Sequence, residues 1–158
     1  MTPLAAIESL PLAVALRAPG ALHGAVAIVH LTGVALLVGS VAVLDLRLLG
    51  LSRTIPVRRL AAHVLPWTAA SFLLIVPSGL LLFLARAGEL IGSPLFALKM
   101  MLILAGGTNA ALFHAGVFRG AERWDTQVMP PAAARLAAAL SLGVWFSVLA
   151  CGRLLAKA

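Results

Sequence analysis

From Ala21 to Leu44 only His23, His30, Thr32 and Ser40 interrupt a run of Ala, Val, Ile, Leu and Gly. Three further runs of this kind follow, over 62–85, 95–118 and 135–156. Each is long enough, at about 1.5 Å per residue, to cross about 30 Å of hydrocarbon. The pattern therefore predicts an all-α integral membrane four-helix bundle in a single domain. The connections are short, which makes consecutive spans antiparallel neighbours. Gly24, Gly33, Gly106, Gly107 and Gly143 offer places where helices can approach closely. Pro66 and Pro77, the latter followed by Ser78 and Gly79, predict a kink in the second span. Residues 1–20 read as a short interfacial helix or turn. Thr2-Pro3 suits its start, Pro11 interrupts its apolar part, and Ala18-Pro19-Gly20 suits a break before the first span. Glu8 stands where a signal peptide would carry basic residues.

Composition supports the membrane reading. Of the 158 residues 62% are hydrophobic and 11% charged, and the mean hydropathy is +1.08. A soluble chain of this size cannot bury so much apolar surface. The net charge of +7 comes from arginines flanking the apolar runs, as loop anchors do, and there is no nucleic-acid-binding motif. A single cysteine, Cys151, excludes an internal disulfide and a cysteine-cluster metal site.

The distribution of Lys and Arg orients the chain. Arg47, Arg53, Arg58, Arg59, Arg119, Arg123 and Arg135 fall in or beside the 46–61 and 119–135 connections, against Arg17, Arg86, Arg153 and Lys157 on the other side. The excess places those two connections in the cytoplasm of a bacterial inner membrane, with both termini periplasmic. Depths then follow from the helical rise. His23, Lys99 and Arg153 lie roughly 15, 10 and 12 Å towards the outside of their span midpoints, and His30 roughly 4 Å. His63 and His114 lie roughly 15 and 12 Å towards the cytoplasm, with Asp45 closer still to that surface and Thr108 and Asn109 near the midplane.

Polar groups at membrane depth are costly and mark candidate sites. Each has a structural alternative. His30 and Asn109 can bond a neighbouring helix, Lys99 and Arg153 can snorkel to the headgroups, and His63 can be a solvated loop histidine. Trp145, Phe146 and Phe113 read as packing, and Met100, Met101 and Met129 form no spaced array suited to copper. Nucleotide loops, zinc spacings and nucleophile elbows are missing from the sequence. What remains is histidine in a helical bundle, which suits haem b, with neutral imidazoles on the iron and Arg or Lys near the propionates. The functional expectation is a membrane protein that binds haem b for electron transfer or oxidase support. The alternatives are a non-catalytic membrane subunit, partnered by another membrane or periplasmic protein, and a small copper-handling transporter.

The segments HLTGVALLVGSVAVLDLRLLG, FALKMMLILAGGTNAALFH and CGRLLA together resemble an uncharacterised family of small bacterial membrane proteins. The likeness covers nearly the whole chain. More distantly, the spacing is similar to the membrane protoporphyrinogen-oxidase and copper-resistance D families, which share a histidine followed by a Gly-containing apolar run. That resemblance implies His30, Lys99 and His114 as site residues. The sequence departs from it at Leu37-Val38-Gly39, where an aromatic-Gly signature is expected, and in having no tyrosine.

Depth points to a different pair. His30 and His114 are separated by roughly 16 Å along the membrane normal, His63 and His114 by only about 3 Å. His63 and His114 are therefore the expected iron ligands, with His30 a separate outer ligand. Asp45 would accept the other ring N–H of His63. Arg58, Arg59 and Arg119 would lie near propionates on the cytoplasmic side, and Lys99 with Arg153 could bind a propionate or another anion on the outer side.

Overall fold

Four helices take up the four apolar runs, and each is long and apolar enough to cross a membrane. The computed structural model describes residues 8–18 and 20–157. In chain order the elements are α1 (Pro11–Arg17), α2 (Ala21–Leu48), α3 (Val57–Ala85), α4 (Ala87–Ile91), α5 (Pro94–Ala115), the 3-10 helix η1 (Val117–Trp124) and α6 (Ala132–Leu155). There is no strand among the described residues, so the all-helical membrane bundle with a short N-terminal helix is the observed fold.

The helices differ from the apolar runs at their ends, and the reasons are local. At 28 residues, α2 spans about 42 Å, well beyond the hydrocarbon thickness. Its last turns carry Leu44, Asp45, Arg47 and Leu48, all buried by protein rather than lipid. α3 begins at Val57, behind Pro56, and its exposed first-turn amide of Arg58 donates to Asp125 Oδ1 at 2.8 Å. A carboxylate from a distant loop thus caps that helix. α5 stops at Ala115, because Gly116 leaves helical geometry and the chain tightens into η1.

Pro11, expected to interrupt the N-terminal segment, instead occupies the first turn of α1, where its missing N–H costs nothing. Ala13 and Leu16 of α1 are buried against the bundle. Glu8 Oε1 accepts from the Gly88 amide at 2.7 Å. The expected helix start at Thr2-Pro3 lies outside the described residues, as does Pro19 in the expected break.

The packing order is not the sequential one. α2 packs against α3 and α6, and α5 packs against α6. No Cα of α3 comes within 8 Å of one in α5, although the two spans are consecutive. A Cβ on Gly33 would stand 2.8 Å from Ile75 Cγ1, so α2 and α3 meet there at backbone distance. Gly106 meets Trp145 and Val144 in the same way, whereas Gly24, Gly107 and Gly143 face open space. α3 continues as one helix through Pro66 and Pro77.

One end of the bundle is closed by a core of Leu44, Leu48, Val57, Ala61, Phe113 and Trp124 with Ala121, Ala134 and Ala138. The connections at that end are stitched together by hydrogen bonds from Val57 N to Asp125 O (3.0 Å) and from Gln127 N to Arg53 O (2.8 Å). Arg47, only 2% exposed, lies beneath them. Its Nε donates to Ile55 O at 2.7 Å, and its Nη2 to Arg53 O at 3.2 Å and Asp125 O at 3.0 Å. A second core, of Leu37, Trp145 and Val148, sits further along the bundle.

Candidate functional site

Between these two cores lies a cavity of about 260 Å³ to which all four spans contribute. Its walls are mostly Leu, Val, Ala and Gly, with Phe72, Phe113 and Trp145 as the aromatic members. Six lining side chains are polar: Ser40 and Asp45 from α2, Thr68 from α3, Asn109 and His114 from α5, and Ser141 from α6.

Three of the six are committed to the fold. Ser40 Oγ donates to Leu37 O at 2.9 Å and lies 2.8 Å from Thr68 Oγ1, joining α2 to α3. Thr68 reaches Val64 O in its own helix. Asn109 Nδ2 donates to Ala137 O at 2.9 Å, tying α5 to α6. Asn109 is therefore used as helix–helix glue, where its amide bonds a carbonyl that its own helix has already satisfied.

The other three leave bonding capacity over. Ser141 shares the cavity with Asp45, and Asp45 Oδ2 is buried without a partner. His114 Nδ1 lies 2.9 Å from Ala110 O, one turn back on α5. A carbonyl can only accept, so this nitrogen carries the proton. Nε2 then presents a lone pair, and it too is buried without a partner. The imidazole is held further by Phe113, edge-on with ring centroids 5.2 Å apart, and by Phe118 at 5.1 Å.

The expected pair of His63 and His114 is not brought together. His63 is exposed and lines a separate groove on the outer surface of α2 and α3, beside Trp67 and Gly39. Consecutive spans were expected to be neighbours, but the gap between α3 and α5 removes that premise. Asp45 accordingly shares a cavity with His114 rather than with His63.

His30 is half-buried, with Nδ1 3.0 Å from Ser78 Oγ. Ser78 gives its own proton to Leu74 O, so His30 Nδ1–H is the donor in the first contact. Gly79 leaves room for this ring, since a Cβ there would stand 3.2 Å from His30 Cε1. His30 thus fastens α2 to α3 beside Pro77. Lys99 rests against α6, with Nζ 3.8 Å from the position a Cβ on Gly152 would take. Arg153 is exposed. His23 Nδ1 contacts Leu16 O at 3.1 Å and links α2 to α1. Among the described residues no group of three or more His, Cys, Asp and Glu side chains is placed to hold a metal ion.

Two features were missed in the sequence. Arg47 was counted as a loop charge, yet it is almost wholly enclosed. Ser141 was passed over, although the buried positions of α6, Ala134, Ala138, Ser141, Trp145, Val148 and Cys151, recur every three or four residues and single it out as the polar member of the inward face.

No curated protein and no solved structure matches the chain. A family model does match, over residues 17–158, which takes in all four spans and every residue of the cavity. The chain therefore belongs to a family of unknown function, DUF6644.

Proposed function

We propose that this multi-pass membrane protein binds a small ligand inside the bundle, with Asp45 and His114 as its polar contacts. The observation that carries this reading is the pair of unpartnered buried atoms, Asp45 Oδ2 and His114 Nε2, on residues lining one cavity. An unsatisfied polar atom costs several kcal/mol at membrane depth, and buried polar groups in native structures are nearly always paired. A ligand that hydrogen-bonds both atoms removes that cost. The Arg clustering supports a bacterial inner-membrane orientation in which the 46–61 and 119–135 connections face the cytoplasm and both termini the periplasm.

Haem b, for electron transfer or oxidase support, is the second reading. It rests on the His114 imidazole, whose Nδ1–H is tied to a backbone carbonyl while Nε2 is free, as in a metal-ligating histidine. The donor chemistry fits, and His114 would hold the iron. The enclosed volume of about 260 Å³ favours the smaller ligand, because cofactor-sized pockets run to about 300–1,000 Å³.

One preparation tests both readings. Protein reconstituted in nanodiscs from haem-replete cells is examined by absorption, and its organic extract by mass spectrometry, alongside Asp45→Leu and His114→Ala. A molecule retained by the wild type and lost from both variants supports the first reading. A reduced-minus-oxidised haem signal lost in His114→Ala and kept in His63→Ala supports the second. Spectra and extracts identical in all preparations would refute both.

A further inference from the structure

The two unpartnered atoms are cut off from both aqueous faces. Towards the basic end they are covered by the core around Leu48, Phe113 and Trp124, and towards the other end by Leu37, Trp145 and Val148. The remaining side is the gap between α3 and α5, whose Cα atoms nowhere come within 8 Å. Phe72 on α3 and Gly107 and Ala110 on α5 line the cavity and are nonetheless exposed, so they stand at its open side. What they are exposed to is the bilayer, because they fall within spans. The small residues on the α5 side leave this opening clear, and a Cβ on Gly107 would meet nothing within 4 Å.

Size and chemistry narrow the occupant. An apolar cavity of about 150 Å³ accommodates benzene, so about 260 Å³ accommodates one substituted ring. The walls offer apolar surface and three aromatic side chains to such a ring. Ser40 and Thr68 have used their hydroxyl protons on the fold, and Asn109 Nδ2 has used one of its two protons on Ala137 O. His114 Nε2 is an acceptor, since the imidazole proton is on Nδ1. The occupant must therefore donate.

From this geometry, and resting on the reading that the cavity is the binding site, we propose that it takes the hydroxylated ring of a lipid-soluble molecule. The molecule enters from the bilayer between α3 and α5. Its hydroxyl donates to His114 Nε2 and its oxygen accepts from the protonated Asp45 carboxyl, and its apolar tail remains in the gap.

The test uses 4-octylphenol and its methyl ether, 4-octylanisole, which has nearly the same shape and no donor. Retention of each labelled compound is measured on the full chain in nanodiscs, against empty nanodiscs. Saturable binding of the phenol near one equivalent is expected, about tenfold tighter than the ether. Asp45→Leu and His114→Ala should each erase that preference. Gly107→Phe, which fills the open side, should reduce retention of both compounds. Should Asp45→Leu fail to fold, the phenol–ether comparison and Gly107→Phe still decide. Equal binding of phenol and ether, both blocked by Gly107→Phe, overturns recognition of the hydroxyl while leaving the cavity as the site. Phenol-selective binding untouched by Gly107→Phe overturns lateral access. Absence of saturable binding overturns this proposal alone if the wild-type extract still holds a molecule that both variants lose, and overturns the cavity reading too if it does not.

Discussion

Replacing the buried Arg47 of α2 by methionine should loosen the basic end of the bundle more than substitution of any exposed arginine in the connections there. The guanidinium makes three hydrogen bonds, to Ile55 O, Arg53 O and Asp125 O. Bonds to a charged group contribute about 1.5–3 kcal/mol each, a gross value of about 4.5–9 kcal/mol. Against this, methionine removes the cost of burying a cation, which is several kcal/mol. Of the three carbonyls left behind, Asp125 O keeps its bond from Val57 N and Arg53 O its bond from Gln127 N, so Ile55 O alone loses its donor. Nη1 of Arg47 is buried without a partner, and methionine relieves that cost as well, so the net loss should be about 1–3 kcal/mol. Arg47→Lys should recover less than half of it, because an ammonium cannot reach three carbonyls from the plane of a fork. Arg53→Met, which alters an exposed side chain, serves as the control and should change stability by less than about 0.5 kcal/mol. The assay is thermal or denaturant melting in lipid–detergent micelles, combined with amide hydrogen exchange over residues 50–57 and 125–128. Exchange should rise there and remain slow in the spans. If Arg47→Met melts as the wild type does and its connections exchange no faster, the staple assigned to this residue is wrong.

Gly33→Leu should destabilise by about 1–3 kcal/mol, because a Cβ at that position would stand 2.8 Å from Ile75 Cγ1, while Gly24→Leu should be neutral; melting of the two variants in parallel separates packing from a general effect of added bulk. Lys99→Met should insert at least as well as the wild type, since no hydrogen bond or ion pair holds the ammonium among the described residues and a lysine within a span carries an insertion cost that reaches about 2.5–3.5 kcal/mol at the centre. Loss of folded protein in that variant, measured by monodispersity after extraction, would give Lys99 a structural role. A cysteine placed in the 49–56 connection of a Cys151→Ala background should resist an impermeant thiol reagent in intact spheroplasts; labelling as strong as at a cysteine appended after residue 158 would reverse the orientation.

The spans were legible because length and unbroken apolarity suffice for that inference. Their inward faces were not, because lipid tails and a protein core are equally apolar, so hydrophobicity does not tell one side of a membrane helix from the other. The signal lies in small residues instead. In α3 the buried positions Val57, Val64, Ser71 and Ser78, with Ala61, repeat every seven residues. His63 stands one place before Val64, about 100° round the helix from the buried line, and this turns it outward. His114 follows buried Phe113 and lies on the half-buried edge that lines the cavity. Depth along the helix is one coordinate for comparing residues, but rotation about the axis decides which ones meet. The pairing of α2 with α6, rather than α3 with α5, could not be read from loop lengths. The link from α3 to α5 contains a helix of its own, Ala87–Ile91, and the two consecutive spans touch beside it through the stacked rings of Phe83 and Phe96, while their backbones stay more than 8 Å apart.

The stitching of two sequence-distant connections around Asp125 has a consequence for how the chain is made. The first hairpin, α2 with α3, emerges from the ribosome long before residue 125. Until then the α3 N-terminus lacks its cap, and the guanidinium of Arg47 lacks one of its three acceptors. A nascent or truncated chain ending before residue 125 thus displays a half-satisfied cation and an open helix end at the membrane surface. Arrival of the 117–128 segment removes both features at once. Passage of the chain beyond residue 125 is thereby written into the surface of the folded product, where a protease or chaperone that surveys the membrane could distinguish molecules that carry this segment from shorter fragments.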